Sequence, residues 1–132
     1  MGARHKARKR ALDILFEADQ RDEPISVVIT DRAGRGDAAT NAYTEVLVSG
    51  VVDHAEEIDA LIETNAIDWS LDRMPAVDRA LLRLATYELR WGHDIAPAVA
   101  IDEAVELAKE LSTDESPGFV NGVLGRIATA PH

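Results

Sequence analysis

A chain of 132 residues, 46% of them hydrophobic, is long enough to bury a core as one domain, and with no cysteine it can use neither disulfides nor thiol chemistry. Its 14 basic and 24 acidic side chains give a formal charge of −10, and no apolar run approaches the roughly 18 residues that would span a membrane. The total hides an asymmetry: residues 1–10 hold five basic side chains, Arg4, Lys6, Arg8, Lys9 and Arg10, and no acid, so the rest of the chain carries a net of −15 and is a poor general binder of nucleic acid with one basic place for an anion.

From Ala3 to about Gln20, Ala7, Ala11, Ile14, Leu15 and Ala18 fall on one helical stripe. Asp13 and Glu17 break the apolar segment and no cleavage site follows, so this is not a secretory signal, and the expectation is a cytoplasmic protein. Cations in a first turn oppose the helix dipole. Either a negative partner compensates them or the end is a frayed, solvated one. Two readings also fit residues 22–41, where Asp22, Glu23 and Pro24 open a short helix closing at Gly34 or the β-branched run is extended. Gly34 to Asn41 reads as a loop; it lacks the Gly-Lys-Ser/Thr ending of a phosphate-binding loop, and its Arg-Gly-Asp tripeptide means little in a cytoplasmic chain.

A long helix is expected from about Ala42 to Asn65, with Leu47, Val51, Ile58, Leu61 and Ile62 inward and Asp53, Glu56, Glu57, Asp59 and Glu63 on a solvated face. Trp69 and Leu71, after Asp68, form a short connection. Pro75 to Trp91 then reads as the central helix: Val77, Leu81, Leu84, Ala85 and Trp91 make one face, and Leu82 and Leu89 put bulk on the other. Pro75 suits its first position and Gly92 a left-handed residue past its end. After the turn His-Asp-Ile-Ala-Pro, a helix from about Ala98 to Leu111 turns Ile101, Ala104, Val105, Ala108 and Leu111 inward and Asp102, Glu103, Glu106, Lys109 and Glu110 to water. The last helix begins at Ser116 and Pro117 and buries Val120, Val123, Leu124 and Ile127.

Catalysis has little foothold. His5, His54, His93 and His132 lack the spacing of a helical metal site, no nucleophile elbow surrounds any serine, and neither a metal nor a cofactor is expected. Gly118, Gly122 and Gly125 each cost roughly 1 kcal/mol against alanine inside a helix, and close backbone approach is the simplest cause. Phe119, in the first turn beside Gly118, either packs in the core or presents a ring on which an unpaired base stacks. Asn121 reads as a buried hydrogen-bonding side chain.

Three stretches together resemble the NusB transcription antitermination factors: Arg4, Ala7, Arg8, Ala11 and Leu15 near the N-terminus; Val77 to Leu89, VDRALLRLATYEL; and AIDEAVELAKEL joined to SPGFVNGVL. The resemblance covers nearly the whole chain. It implies an all-α fold of two packed three-helix bundles, six to seven helices over residues 1–132, without catalytic activity. It also implies binding of single-stranded boxA-type RNA of nascent ribosomal transcripts, together with the ribosomal protein NusE, within a transcription elongation complex. Arg4, Lys6, Arg8, Lys9 and Arg10 resemble the family's RNA-binding end, Phe119 its aromatic residue at the RNA surface, and Asp78 with Phe16 its partner-binding positions. Gly118 stands where many relatives have lysine, and Phe16 where many have tyrosine. The competing expectation is a protein-interaction module without RNA binding, such as a homodimer whose self-contact covers the basic helix.

Overall fold

The computed structural model describes residues 2–38, 41–67, 69–92 and 94–131. Ala39 and Thr40 of the expected loop, Asp68 of the expected connection, and His93 and His132 lie outside the described residues. Among those described there are seven α-helices and one 3-10 turn: α1 (Ala3–Arg21), α2 (Ile25–Gly34), α3 (Ala42–Asp53), α4 (Ala55–Asn65), the 3-10 turn Leu71–Arg73, α5 (Ala76–Trp91), α6 (Pro97–Leu111) and α7 (Ser116–Thr129). Helices α1–α3 form one bundle and α5–α7 a second, with α4 packed on α5 and α7. As its apolar circumference predicts, α5 is the shared element, touching α1, α3, α4, α6 and α7. Leu81, Leu82, Leu84 and Ala85 are buried in it, while Val77, Leu89 and Trp91 are partly buried.

Local chemistry explains the helix ends. Asp22 closes α1 in the left-handed conformation, φ 52°, with its N–H directed at the carbonyls of Ala18 and Asp19. Asn41 caps α3, its side chain accepting the N–H of Tyr43 at 2.8 Å. Gly92 is not left-handed: its φ is −72°. A side chain there would set its Cβ 2.5 Å from the Glu88 carbonyl oxygen, so close approach accounts for the glycine. Ser116 lies inside α7 instead of capping it.

The expected single helix from Ala42 to Asn65 is two helices, broken at His54. The inward stripe continues in phase, with Leu47, Val51, Ile58 and Ile62 all buried, and so the periodicity conceals the break. At the break the His54 ring stacks on Trp91 of α5, centroids 4.1 Å apart. One turn earlier, Gly50 leaves room for Tyr87; a Cβ at Gly50 would stand 2.1 Å from that ring. The glycines of α7 behave otherwise. Nothing lies within 4 Å of the Cβ position at Gly118 or Gly125, and only the Arg126 guanidinium approaches that of Gly122, so close backbone approach is not their cause.

Substitutions at two glycines therefore have opposite signs. Gly50→Ala must displace Tyr87 and destabilises by about 1–3 kcal/mol, whereas Gly125→Ala, in open space mid-helix, stabilises by roughly 0.5–1 kcal/mol. Urea denaturation of both variants checks this through the direction of the midpoint shift.

Candidate nucleic-acid interface

The first turns of α1 place cations all round the helix, and the fold sorts them. Arg8 turns inward with the apolar stripe and is 4% exposed. Its Nε donates to both carboxylate oxygens of Glu88 on α5, at 2.9 and 3.1 Å, and Glu88 is 2% exposed. Burial acts against the charged guanidinium, but the hydrogen bond and charge of Glu88 outweigh it and raise the Arg8 pKa. The Tyr43 hydroxyl of α3 donates to the same carboxylate, and burial with that bond keeps the phenol neutral by raising its pKa. Arg8, expected among the RNA-binding cations, is therefore an internal link between helices in this structure and is not among the cations that reach solvent.

The remaining four cations reach solvent. Arg4 is 46% exposed; it lies over the Tyr43 ring, 4.6 Å from guanidinium carbon to centroid, and pairs with Asp94 at 2.8 Å. Lys9 pairs with Glu110 of α6 at 2.7 Å, and Arg10 pairs with Asp37 beyond α2. Lys6 is exposed with no ion-pair partner among the described residues. Between them, His5 Nδ1 lies 2.6 Å from Glu103 of α6. Glu103 and Glu110, expected to face only water, thus face α1.

These pairs set the directions of the helices. Arg8–Glu88 and Asp19–Arg79 make α1 and α5 antiparallel, while His5–Glu103 and Lys9–Glu110 make α1 and α6 parallel. The turn from α6 into α7 accordingly lies beyond Lys9, toward the C-terminal part of α1, and the stripe carrying His5 and Lys9 continues to the half-buried Phe16. From Arg4 to Phe16 the helical rise amounts to about 18 Å. Phe119 stands half-buried in the first turn of α7 and meets the 48% exposed Trp69 edge to face, centroids 6.4 Å apart. Asn121 is exposed, not buried.

Asp78 departs from its expected role. It is 2% exposed and accepts hydroxyls of Ser112 at 2.6 Å and Ser116 at 2.9 Å, so its carboxylate is sealed between the start of α5 and the α6–α7 turn. In this structure the side chain expected to meet a partner is an internal tie with almost no exposed surface. It ties Ser116, three residues before Phe119, to α5. Arg79 and Arg83 are likewise structural, paired with Asp19 at 2.6 Å and Asp59 at 2.9 Å. Sequence reasoning missed Tyr43, Glu88, Glu103 and Glu110; the one signal available for Glu88 was a charged residue on a helix otherwise apolar around most of its circumference. Among the described residues no group of three or more histidine or acidic side chains could hold a metal ion, and no helix is long and apolar enough to cross a membrane.

The model of the NusB family matches residues 5–129. The transcription antitermination protein NusB of Saccharopolyspora erythraea is 59% identical over 130 residues, covering 97% of this chain and 88% of its own. That of Thermobifida fusca is 56% identical over 126 residues, covering 96% and 89%. Among solved structures, T. maritima NusB superposes with a TM-score of 0.84 at 37% identity, covering 96% of this chain and 91% of that one. A chain from the crystal structure of antitermination factors NusB and NusE in complex with dsRNA superposes with a TM-score of 0.83 at 30% identity, covering 98% and 100%.

Removing one partner of the buried pair strands the other. Arg8→Ala leaves Glu88 with a buried, uncompensated charge and costs about 3–5 kcal/mol, while the double variant Arg8→Met/Glu88→Leu removes both charges and recovers most of that loss. Thermal unfolding of the two variants beside the parent checks the order of their midpoints.

Proposed function

The chain belongs to the NusB family, and from that premise we propose that it is a transcription antitermination factor that binds single-stranded boxA-type RNA of nascent ribosomal transcripts together with NusE, and so helps RNA polymerase pass terminators. It works by binding and carries out no reaction. The observation that carries the RNA assignment is the set Arg4, Lys6, Lys9 and Arg10, four solvent-reaching cations within two turns of one helix on a body of opposite charge.

Phosphates of the strand meet these cations, and the acidic body repels RNA placed elsewhere. Beyond Lys9 the strand runs toward the α6–α7 turn, where the half-exposed ring of Phe119 offers a stacking face to one unpaired base. Phe16 lies along the same stripe of α1, partly exposed and firmly seated against the core, and is the partner-binding position that remains accessible to the ribosomal protein. The solved relative named above contains NusB, NusE and dsRNA in one assembly, which supports the pairing of NusE and RNA as partners; the single-stranded, boxA-type character of the RNA rests on the basic tip and Phe119.

A titration of labelled single-stranded boxA-type RNA in the presence of NusE tests the reading. With three or four phosphates neutralised, log affinity falls against log salt with a slope of about −2 to −3. Arg4→Glu/Lys6→Glu weakens binding at least tenfold without loss of helix content, and Phe119→Ala weakens it by roughly 1–3 kcal/mol. A salt-independent signal, or equal binding of a fully paired duplex of the same sequence, overturns single-strand recognition at this surface.

A further inference from the structure

Three of the four cations assigned to RNA are already occupied. Arg4 holds Asp94 at 2.8 Å, Lys9 holds Glu110 at 2.7 Å, and Arg10 holds Asp37 through both its carboxylate and, at 3.0 Å, its backbone carbonyl. The acids come from three separate places, the segment before α6, the last turn of α6 and the loop beyond α2, yet each reaches the same two turns of α1. All three are surface groups, and Asp37 also lies 3.7 Å from the guanidinium of Arg32 in α2. The pairing is felt on both sides: the Glu110 hydrogen bond raises the Lys9 pKa and its counterpart lowers that of Glu110, while Arg10 lowers that of Asp37.

We propose that Asp37, Asp94 and Glu110 act as an intramolecular counter-anion set which a polyphosphate backbone must displace, making these three acids determinants of how tightly, and with what selectivity, the basic tip binds RNA. The proposal rests on the RNA-binding reading above and adds to it the residues that oppose binding. A single phosphate can replace one carboxylate at a time and gains little, because it exchanges one exposed ion pair for another of similar strength. A strand replaces several together, having been ordered once, and gains the entropy of the counterions released from its own backbone. The set therefore discriminates against free nucleotides and isolated phosphates in favour of a chain. Lys6, with no ion-pair partner among the described residues, is the place where such a strand first engages.

The test compares the parent chain, the variant Asp37→Asn/Asp94→Asn/Glu110→Gln, and a control of equal charge, Asp53→Asn/Glu56→Gln/Glu106→Gln, whose acids are exposed and make no ion pair with α1. Each is titrated with labelled single-stranded boxA-type RNA and, separately, with inorganic polyphosphate. The first variant is expected to bind a polyanion about tenfold or more tighter than the control, on the scale of three exposed ion pairs. That advantage shrinks as salt rises, because screening weakens the intramolecular pairs. Affinities of variant and control within twofold of each other for both polyanions overturn the counter-anion set, and leave the RNA reading standing where the parent binds RNA. If the parent and the variants bind no RNA even at low salt, the RNA reading falls, and polyphosphate alone decides: a gain over the control keeps the counter-anion set, and no gain, or no binding at all, overturns it.

Discussion

The pairing of Arg8 with Glu88 fixes where the N-terminal helix lies, and most of the molecule's surface chemistry follows from that placement. Two opposite charges with exposures of 4% and 2% hold each other through bonds of 2.9 and 3.1 Å across 80 residues of sequence. Such a pair adds little stability over well-packed apolar residues, since desolvation consumes most of the attraction. What it adds is geometry. A sliding or rotation of α1 on α5 that the apolar stripe of Ala7, Ala11, Ile14 and Leu15 would tolerate leaves two charges buried and unpaired. Tyr43 and Thr44 extend the constraint to α3, the first through Glu88 and the second by donating to the Ala7 carbonyl at 3.0 Å. Three helices are thereby locked at one point, and the other four cations are left facing outward.

Much of this was legible from residue order, and the failures share a cause. Several helix boundaries rest on local chemistry, a proline or glycine next to an apolar stripe: the expected and observed spans of α1, α5 and α6 agree to within a residue, α7 begins at Ser116 as expected, and residues 25–34 take the helical one of their two readings. The break at His54 was hidden because the stripe through Val51 and Ile58 stays in phase across it, and the ring that His54 stacks on there, Trp91, belongs to another helix. Arg8 and Asp78 were misplaced for the same reason. A charged residue is read as exposed unless its partner is known, and these partners stand 80 residues away for Arg8 and 34 and 38 away for Asp78. Nothing local marks Ser112 and Ser116 as the hydroxyls that close over Asp78.

The acidic composition also takes on structure once α6 is seen beside α1. Read along the chain, Glu103 and Glu110 belong to an outer face; in the fold they stand seven residues apart opposite His5 and Lys9, which stand four apart. Parallel packing makes that match, and it could not be inferred without the directions of both helices. The negative charge of this protein is thus of two kinds: a distributed field from helix faces such as that of Glu56 and Glu63, and a few carboxylates aimed at particular cations.

The two sealed carboxylates, Glu88 and Asp78, divide the work along α5. Glu88, near the C-terminal end, places the cations; Asp78, in the first turn, ties Ser112 and Ser116 to the same helix and so sets the angle at which α7 begins. An acid in a first turn is favoured by the helix dipole, and this one also accepts the hydroxyls of Ser112 and Ser116, which bond each other across the α6–α7 turn. Phe119 follows Ser116 by less than one turn, so its backbone lies close to that closure, while its ring meets Trp69 edge to face. A single helix therefore ties both the basic tip and the start of α7 to one frame, with no direct contact between them required.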